Sequence, residues 1–462
     1  MRSLSSHLVT SPPSPSAPPT APAGDVAAFF ESFPVEVTQR MLVFCRPQDV
    51  IAFSSTCRLA HMVVFDFSAQ YLWRELFFSH PFDDPRQPLD ITLESDASAV
   101  DWRHKTIERL KAERVAKSSR APSWQTSRAL QVFISMIHDM PAVIQRNIPV
   151  RSHNLKWLER VLRKSDILNF EIEAPRSEGM PYAQLRAYLA LSLDEGDDEK
   201  TRLRLEARRK RSRIYVYNVR NYPGSNWGPF LPDGTADWIH IEHLVNVIVM
   251  NLRELPGMWS RIKPPLGLAA IRPYSVPSNG SEQPRDWARV EGTWRRYVSF
   301  MDFRDLYAFN FDFNRQSDSD PTFFDCPRFR EGTRLLELKL RLIDREGSRF
   351  RSHRRASAVK SRNDRFPPIY FTGTSKSVKS STITEGVVYM SPDGVVRWEF
   401  CSTHPGGAKW CSDGAQIGHV ASAAGVVGVW TTHNRCSDDT VGPFWLWKVK
   451  DDCPLQLMEF SR

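Results

Sequence analysis

The sequence predicts an α+β multidomain protein: an all-α N-terminal module and a helical middle, followed by a C-terminal antiparallel β-barrel or sandwich. Three observations predict it. Apolar residues recur at helical spacing from Phe29 to about His80, and again in segments up to residue 193. The period then shortens to two: Leu336, Leu338, Leu340 and Leu342 share one face while Glu337, Lys339 and Arg341 share the other, as a sheet with one wet side requires. Finally, 462 residues exceed what a single compact core accommodates.

Taken in order, residues 1–24 are Ser, Pro, Ala and Thr with almost nothing apolar to bury, and read as a disordered leader. Residues 25–80 form the dense apolar module. Residues 81–205 read as an irregular helical linker region, with helical patterns over 101–117, 126–144, 154–168 and 181–193. An acidic patch at 194–199 meets a basic run at 202–213, read as a solvated helix-to-strand linker balanced by the nearby acids, with a nuclear import signal as the alternative. The β-rich region spans 206–450 and leaves a tail at 451–462. Within it 213–219, 307–313, 426–431 and 444–449 read as strands. Residues 387–400 read as two strands around the turn Ser391, Pro392, Asp393, Gly394. One helix interrupts the series. Trp238, Ile241, Leu244, Ile248, Leu252 and Leu255 recur at three and four residues, after Asp237 and before Pro256 and Gly257. Loops at 275–285 and 347–364 read as mobile.

Composition narrows the function. Hydrophobic residues at 41% and charged residues at 25% are ordinary globular usage. The net charge of +9 is concentrated in two local runs rather than spread over a domain, which argues against a nucleic-acid partner. No run approaches the ~20 apolar residues of a membrane span; 245–250 is the best and is interrupted at once. Seven cysteines without an export signal near Met1 read as reduced thiols of a soluble protein in the cytoplasm, the nucleus or both.

In the N-terminal module, Phe33, Pro34, Val35, Glu36 and Val37 open a helix, with proline suited to its first position and Glu36 to the positive end of the dipole. Val37, Met41 and Phe44 make one stripe, and Val35 and Leu42 widen the apolar arc beyond what a single core contact requires. Glu36, Gln39 and Arg40 keep a narrow polar wedge. Pro47 starts a second helix through Asp49 and Val50, Cys57 and Arg58 end it, and Leu72, Trp73, Arg74, Glu75 and Leu76 close the module. These anchors, in this order and spacing, resemble the F-box, with Phe33 in place of the usual leucine before proline. The resemblance implies docking onto a Skp-family adaptor that links to a cullin scaffold. It implies adaptor contacts at Phe33, Pro34, Val37, Met41 and Leu42, and in the closing helix at Trp73 and Leu76.

Stretches at 291–300, 368–374, 390–398 and 442–448 resemble the C-terminal region of fungal F-box proteins. More loosely, the arrangement is similar to F-box substrate receptors whose C-terminal β-barrel binds degradation signals. The resemblance implies a receptor for an unknown protein substrate within an SCF-type ubiquitin ligase. It supplies no substrate-binding residues, and none are assigned.

Trp398, Trp410, Trp430, Trp445 and Trp447 suit either a peptide cleft or, as alternating aromatics usually do, the sheet core. Cys401 with His404 and His433 with Cys436, with Cys411 as a spare ligand, have spacing a zinc site can use. Their setting in strands and turns argues for none, so no metal or cofactor is expected. Asp302, Asp305 and Asp312 read as the wet face of a strand. There is no phosphate loop, nucleophile elbow or His-Glu-x-x-His, and no catalytic residue is assigned. The rival readings are a β-rich binding module unconnected to ubiquitin and an enzyme using the aromatic and Cys/His residues.

Overall fold

The structure is a computed structural model. It describes residues 33–66, 70–86, 100–118, 121–145, 147–169, 176–194, 196, 198–222, 227–255, 257, 262–277, 285–311, 321–326, 329–348, 350, 365–407, 409–433 and 440–461. The leader, most of the two long loops, Asp312 and Cys436 lie outside them. The chain divides into two compact units, one ending at His80 but including 101–103, the other comprising 81–100 and everything from His104.

Among its described residues the first unit holds four short helices: α1 (Val35–Leu42), α2 (Pro47–Ser54), α3 (Arg58–Phe65) and α4 (Gln70–Ser79). Pro34 sits one residue before the first helical position, as the cap of α1, while Pro47 does begin α2. The Cys57 sulfur caps α3 by accepting from the Ala60 N–H at 3.4 Å. The core is Val50, Val64, Leu72, Trp73, Leu76 and Phe77. Buried polar groups find partners: the Trp73 indole N–H donates to the Val64 carbonyl at 2.8 Å, and the Gln39 amide donates to the Val63 carbonyl at 3.1 Å.

Helix α5 (Trp102–Ala116) has all but its first two residues in the second unit, where α6 (Ser123–His138), α7 (His153–Arg163), α8 (Arg176–Leu189), α9 (Glu199–Tyr217) and α10 (Trp238–Glu254) follow it and precede the barrel, with a two-residue ladder of β1 (Ile144–Gln145) and β2 (Ile148–Pro149). The expected helix over 126–144 ends at His138. Helix α10 follows the expected pattern and start, with Asp237 accepting from the His240 N–H. It is buried nearly all round, its polar His240, Glu242, Asn246 and Asn251 included, because it packs on α8 and α9 as well as on two barrel strands, β9 and β10.

The strands are β3 (Gly292–Met301), β4 (Glu331–Ile343), β5 (Ile369–Lys376), β6 (Ser381–Met390), β7 (Val396–Thr403), β8 (Lys409–Gln416), β9 (Val426–Thr432), β10 (Val441–Lys448) and β11 (Met458–Ser461). All pairings are antiparallel, in the order β4-β3-β10-β9-β8-β7-β6-β5 and back to β4, so eight strands close a barrel. Closure depends on the length of β4, which pairs along one edge with β3 and along the other with β5 from Glu337 and with β11 at 332–335. Inward residues alternate as the leucine pattern requires. Leu338 and Leu340 pack with Trp294, Phe371, Trp398, Phe400 and Phe444, and the Trp294 and Trp398 rings meet edge-on at 5.0 Å. The β6–β7 turn forms where expected. Gly394 takes φ +81°, its N–H donates to the Ser391 carbonyl at 3.0 Å, and the Ser391 hydroxyl donates to Asp393.

Two expected strands are helices. Residues 213–217 continue α9, and residues 307–311 belong to helix α11 (Phe303–Phe311). In α11 the buried pair is Leu306 and Phe309, three apart, while Tyr307 is exposed; the alternation of aromatics mimicked a period of two. Asp302 and Asp305 therefore belong to a helix start rather than to the wet face of a strand, accepting from the Arg304 and Arg330 N–H groups. The basic run is also not a solvated linker. It is the body of α9, with Arg209 and Arg213 buried against Glu254, Asn251 and Glu331, Lys210 on Asp325, and Arg204 and Arg208 on Asp194. Residue 206, the expected start of the β-rich region, lies within this helix.

Candidate docking surfaces

The first unit is built inside out along α1. Its inward face carries Thr38, Gln39 and Leu42, while Phe33, Val35, Val37, Met41 and Phe44 are 36–80% exposed. The Gln39 amide, expected on the polar wedge, is instead tied into the core by its bond to Val63. Ile51, Met62, Tyr71 and Phe78 are exposed as well. A groove of about 200 Å³ opens between Phe33, Val35, Phe53, Leu59 and Val63. Exposed apolar side chains beside an apolar groove are what a docking surface presents.

Of the seven expected adaptor contacts, Phe33, Pro34, Val37 and Met41 lie at the surface. Leu42, Trp73 and Leu76 do not: they are buried in the unit's own core. Val35 and Phe44 belong to the exposed face and were visible in the sequence as part of the apolar arc.

On the barrel, Trp398 is an inward core residue, as alternation favoured, whereas Trp445 and Trp447 are buried on the face of β10 opposite the inward Phe444 and Leu446. Trp410 and Trp430 are half-buried on neighbouring strands, with rings edge-on at 5.3 Å. Beside them the interior holds a charge the sequence reading missed. Arg296, on an inward position of β3, lies over the Phe400 and Phe444 rings at 5.0 and 4.5 Å and donates to the Ser412 hydroxyl at 2.7 Å. No carboxylate among the described residues pairs with it, its Nε–H has no hydrogen-bond partner, and burial lowers its pKa to about 9. The only available signal was a basic residue two positions after an inward tryptophan on a strand.

A separate cavity of about 190 Å³ lies among Arg209, Arg213, Phe324, Phe329, Glu331 and Phe460. Its arginines are paired with Glu254 and Glu331, so it carries no net charge to select a ligand.

The Cys/His residues regroup. Cys401 and Cys411, expected as reduced thiols, are joined by a disulfide. His433 approaches them, whereas His404 is outside the cluster. Cys45, Cys57, Cys326 and Cys453 are free. No helix among the described residues is long and apolar enough to cross a membrane. No family model, no curated protein and no solved structure matches this chain.

Proposed function

We propose that the chain is an F-box substrate-receptor subunit of a cullin-based, SCF-type ubiquitin ligase, acting in the cytoplasm, the nucleus or both. The first unit binds a Skp-family adaptor, the barrel unit holds a target protein, and neither performs bond chemistry. The observation that carries this reading is the inversion of α1, whose glutamine is buried while Phe33, Val35, Val37 and Met41 face solvent. A unit of four short helices has little apolar area of its own to spare, and leaving this much in water is costly unless a partner covers it. The barrel supports the second half of the reading through its own hydrophobic core and an aromatic rim at Trp410 and Trp430.

The test is co-purification of adaptor and cullin with the full chain. Phe33→Asp combined with Met41→Asp targets exposed side chains and so spares the fold, which Leu42→Asp does not. Each buried apolar side chain contributes roughly 1.5–3 kcal/mol, so the double substitution weakens docking by roughly 10²- to 10⁴-fold. Wild type that fails to co-purify the adaptor, or a double variant that retains it, overturns the reading.

A further inference from the structure

Cys401 on β7 and Cys411 on β8 are directly opposed in the strand register. Phe400, the neighbour of Cys401, points into the barrel core, so alternation puts both sulfurs on the outer face. His433 follows β9, and its backbone N–H donates to the Lys409 carbonyl at 3.1 Å. That bond carries the strand register one step past its end and sets the ring against β8, with Nδ1 3.5 Å from the Cys411 sulfur. One donor atom from each of the three residues lies within 4.8 Å of the others. Cys411 is buried, Cys401 half-buried and His433 exposed, so the cluster is anchored on the sheet and open on one side.

We propose that this cluster is a redox-gated site for a thiophilic divalent cation of the zinc class. In the disulfide state the two sulfurs are bonded to each other and offer no thiolate. In the reduced state two thiolates and one imidazole supply three ligands of a tetrahedral set, and the exposed side leaves the fourth to water or an incoming group. Zinc–sulfur bonds of about 2.3 Å and zinc–nitrogen bonds of about 2.0–2.1 Å place tetrahedral ligands roughly 3.5–3.8 Å apart. The sulfur–nitrogen pair already meets that spacing, and the sulfur pair reaches it once the S–S bond is cleaved and the side chains rotate. The balance is a two-electron one. A dithiol reductant is oxidised to its own disulfide, Cys401 and Cys411 each gain a hydrogen, and the cation then displaces both thiol protons. Zinc itself changes no oxidation state.

The sequence offered different pairs, Cys401 with His404 and His433 with Cys436, because spacing along the chain is the wrong coordinate. The ligands here come from three adjacent strands, and strand register, not local spacing, brings them together. A structural disulfide alone has no need of an imidazole against its sulfur, whereas a cation site does.

The experiment uses the full chain, stripped of metal and prepared oxidised or reduced with a phosphine, then incubated with Zn²⁺ alone, desalted and assayed for metal. Stoichiometric zinc is expected in the reduced protein and none in the oxidised. Co²⁺ in place of Zn²⁺ is expected to show the thiolate-to-cobalt charge-transfer absorption. Cys401→Ser abolishes retention, and His433→Ala weakens it by roughly tenfold or more while leaving the disulfide able to form. Replacing the exposed Cys45, Cys57 and Cys326 by Ser leaves retention intact. Cys411 is buried and its substitution risks the fold, so the half-buried Cys401 and the exposed His433 carry the test. Reduced wild type without zinc, zinc undiminished in Cys401→Ser, or equal zinc in the oxidised protein overturns the proposal.

Discussion

Arg202 and Arg213 belong to one basic run of twelve residues, yet the structure gives them opposite energetic roles, and substituting each tests that assignment. The Arg202 side chain is 62% exposed, and its contacts are to Glu199 and Glu206 on the same helix surface. Arg202→Ala is therefore expected to change stability by no more than about 0.5 kcal/mol. The Arg213 side chain is 9% exposed and bonds Glu331, itself 4% exposed, at 2.5 Å. The other Glu331 oxygen accepts from the Tyr217 hydroxyl at 2.6 Å. Burial pushes the Glu331 carboxyl up, but the Arg213 guanidinium, the Tyr217 hydroxyl and Arg209 outweigh it and hold the group below its ordinary value.

Glu331→Gln leaves the Arg213 charge buried with a dipole, Asn251 at 3.5 Å and the Phe329 and Phe324 rings at 5.0 and 6.0 Å to offset it. Breaking a buried pair costs about 3–5 kcal/mol, and the rings and amide soften this toward about 3 kcal/mol. Arg213→Ala also loses packing on Phe329 and is expected near the upper end. Guanidinium denaturation of the full chain, followed by tryptophan fluorescence, measures both. The joint change Arg213→Met with Glu331→Met is expected to cost less than either single change, because no charge is stranded. If Arg213→Ala costs no more than Arg202→Ala, the α9–β4 contact is not the core element described above.

Two further expectations concern desolvated titratable groups. Arg296→Met removes an unpaired interior charge and keeps the aliphatic bulk between Phe400 and Phe444, so stability should be unchanged or rise; a loss above about 2 kcal/mol would refute the view that the charge is uncompensated. His243 and His419 are half-buried, and desolvation lowers both from 6.5 to about 4. Each is neutral in the fold and charged in the unfolded chain at pH 5, so protons favour unfolding. Stability should rise with pH between about 4 and 6.5, by at most about 1.4 kcal/mol per pH unit for each ring, and level off above. His243→Phe keeps the ring stacked near Tyr215 and should flatten that slope in a pH series of denaturation curves; an unchanged slope counts against the assignment.

What the sequence could express was whatever a single strand or helix decides for itself. The leucines of β4 alternate because one face of a strand meets a core, and the Ser-Pro-Asp-Gly turn follows from Gly394 at positive φ. Helix α10 is legible because its apolar spacing and its Asp237 cap are local. The failures are the places where a distant partner decides. Residues 213–217 carry Ile, Val and Tyr, a strand-like composition, but they stay helical because Arg213 and Tyr217, one turn apart, must both reach Glu331, 118 and 114 residues away. No local pattern contains that carboxylate. The same holds for the candidate sites. The apolar arc of α1 is readable as an arc, but which side faces inward is set by the Val63 carbonyl capturing Gln39. Leu42 and Trp73 therefore moved from the expected interface to the core, while Phe44 went to the surface. Cys401 and Cys411 became partners because the β7–β8 register opposes them across a turn, which chain spacing does not encode. Burial of a polar group thus decides orientation more strongly than the apolar pattern around it, since an unbonded amide or guanidinium in the interior costs as much as a whole exposed side chain saves.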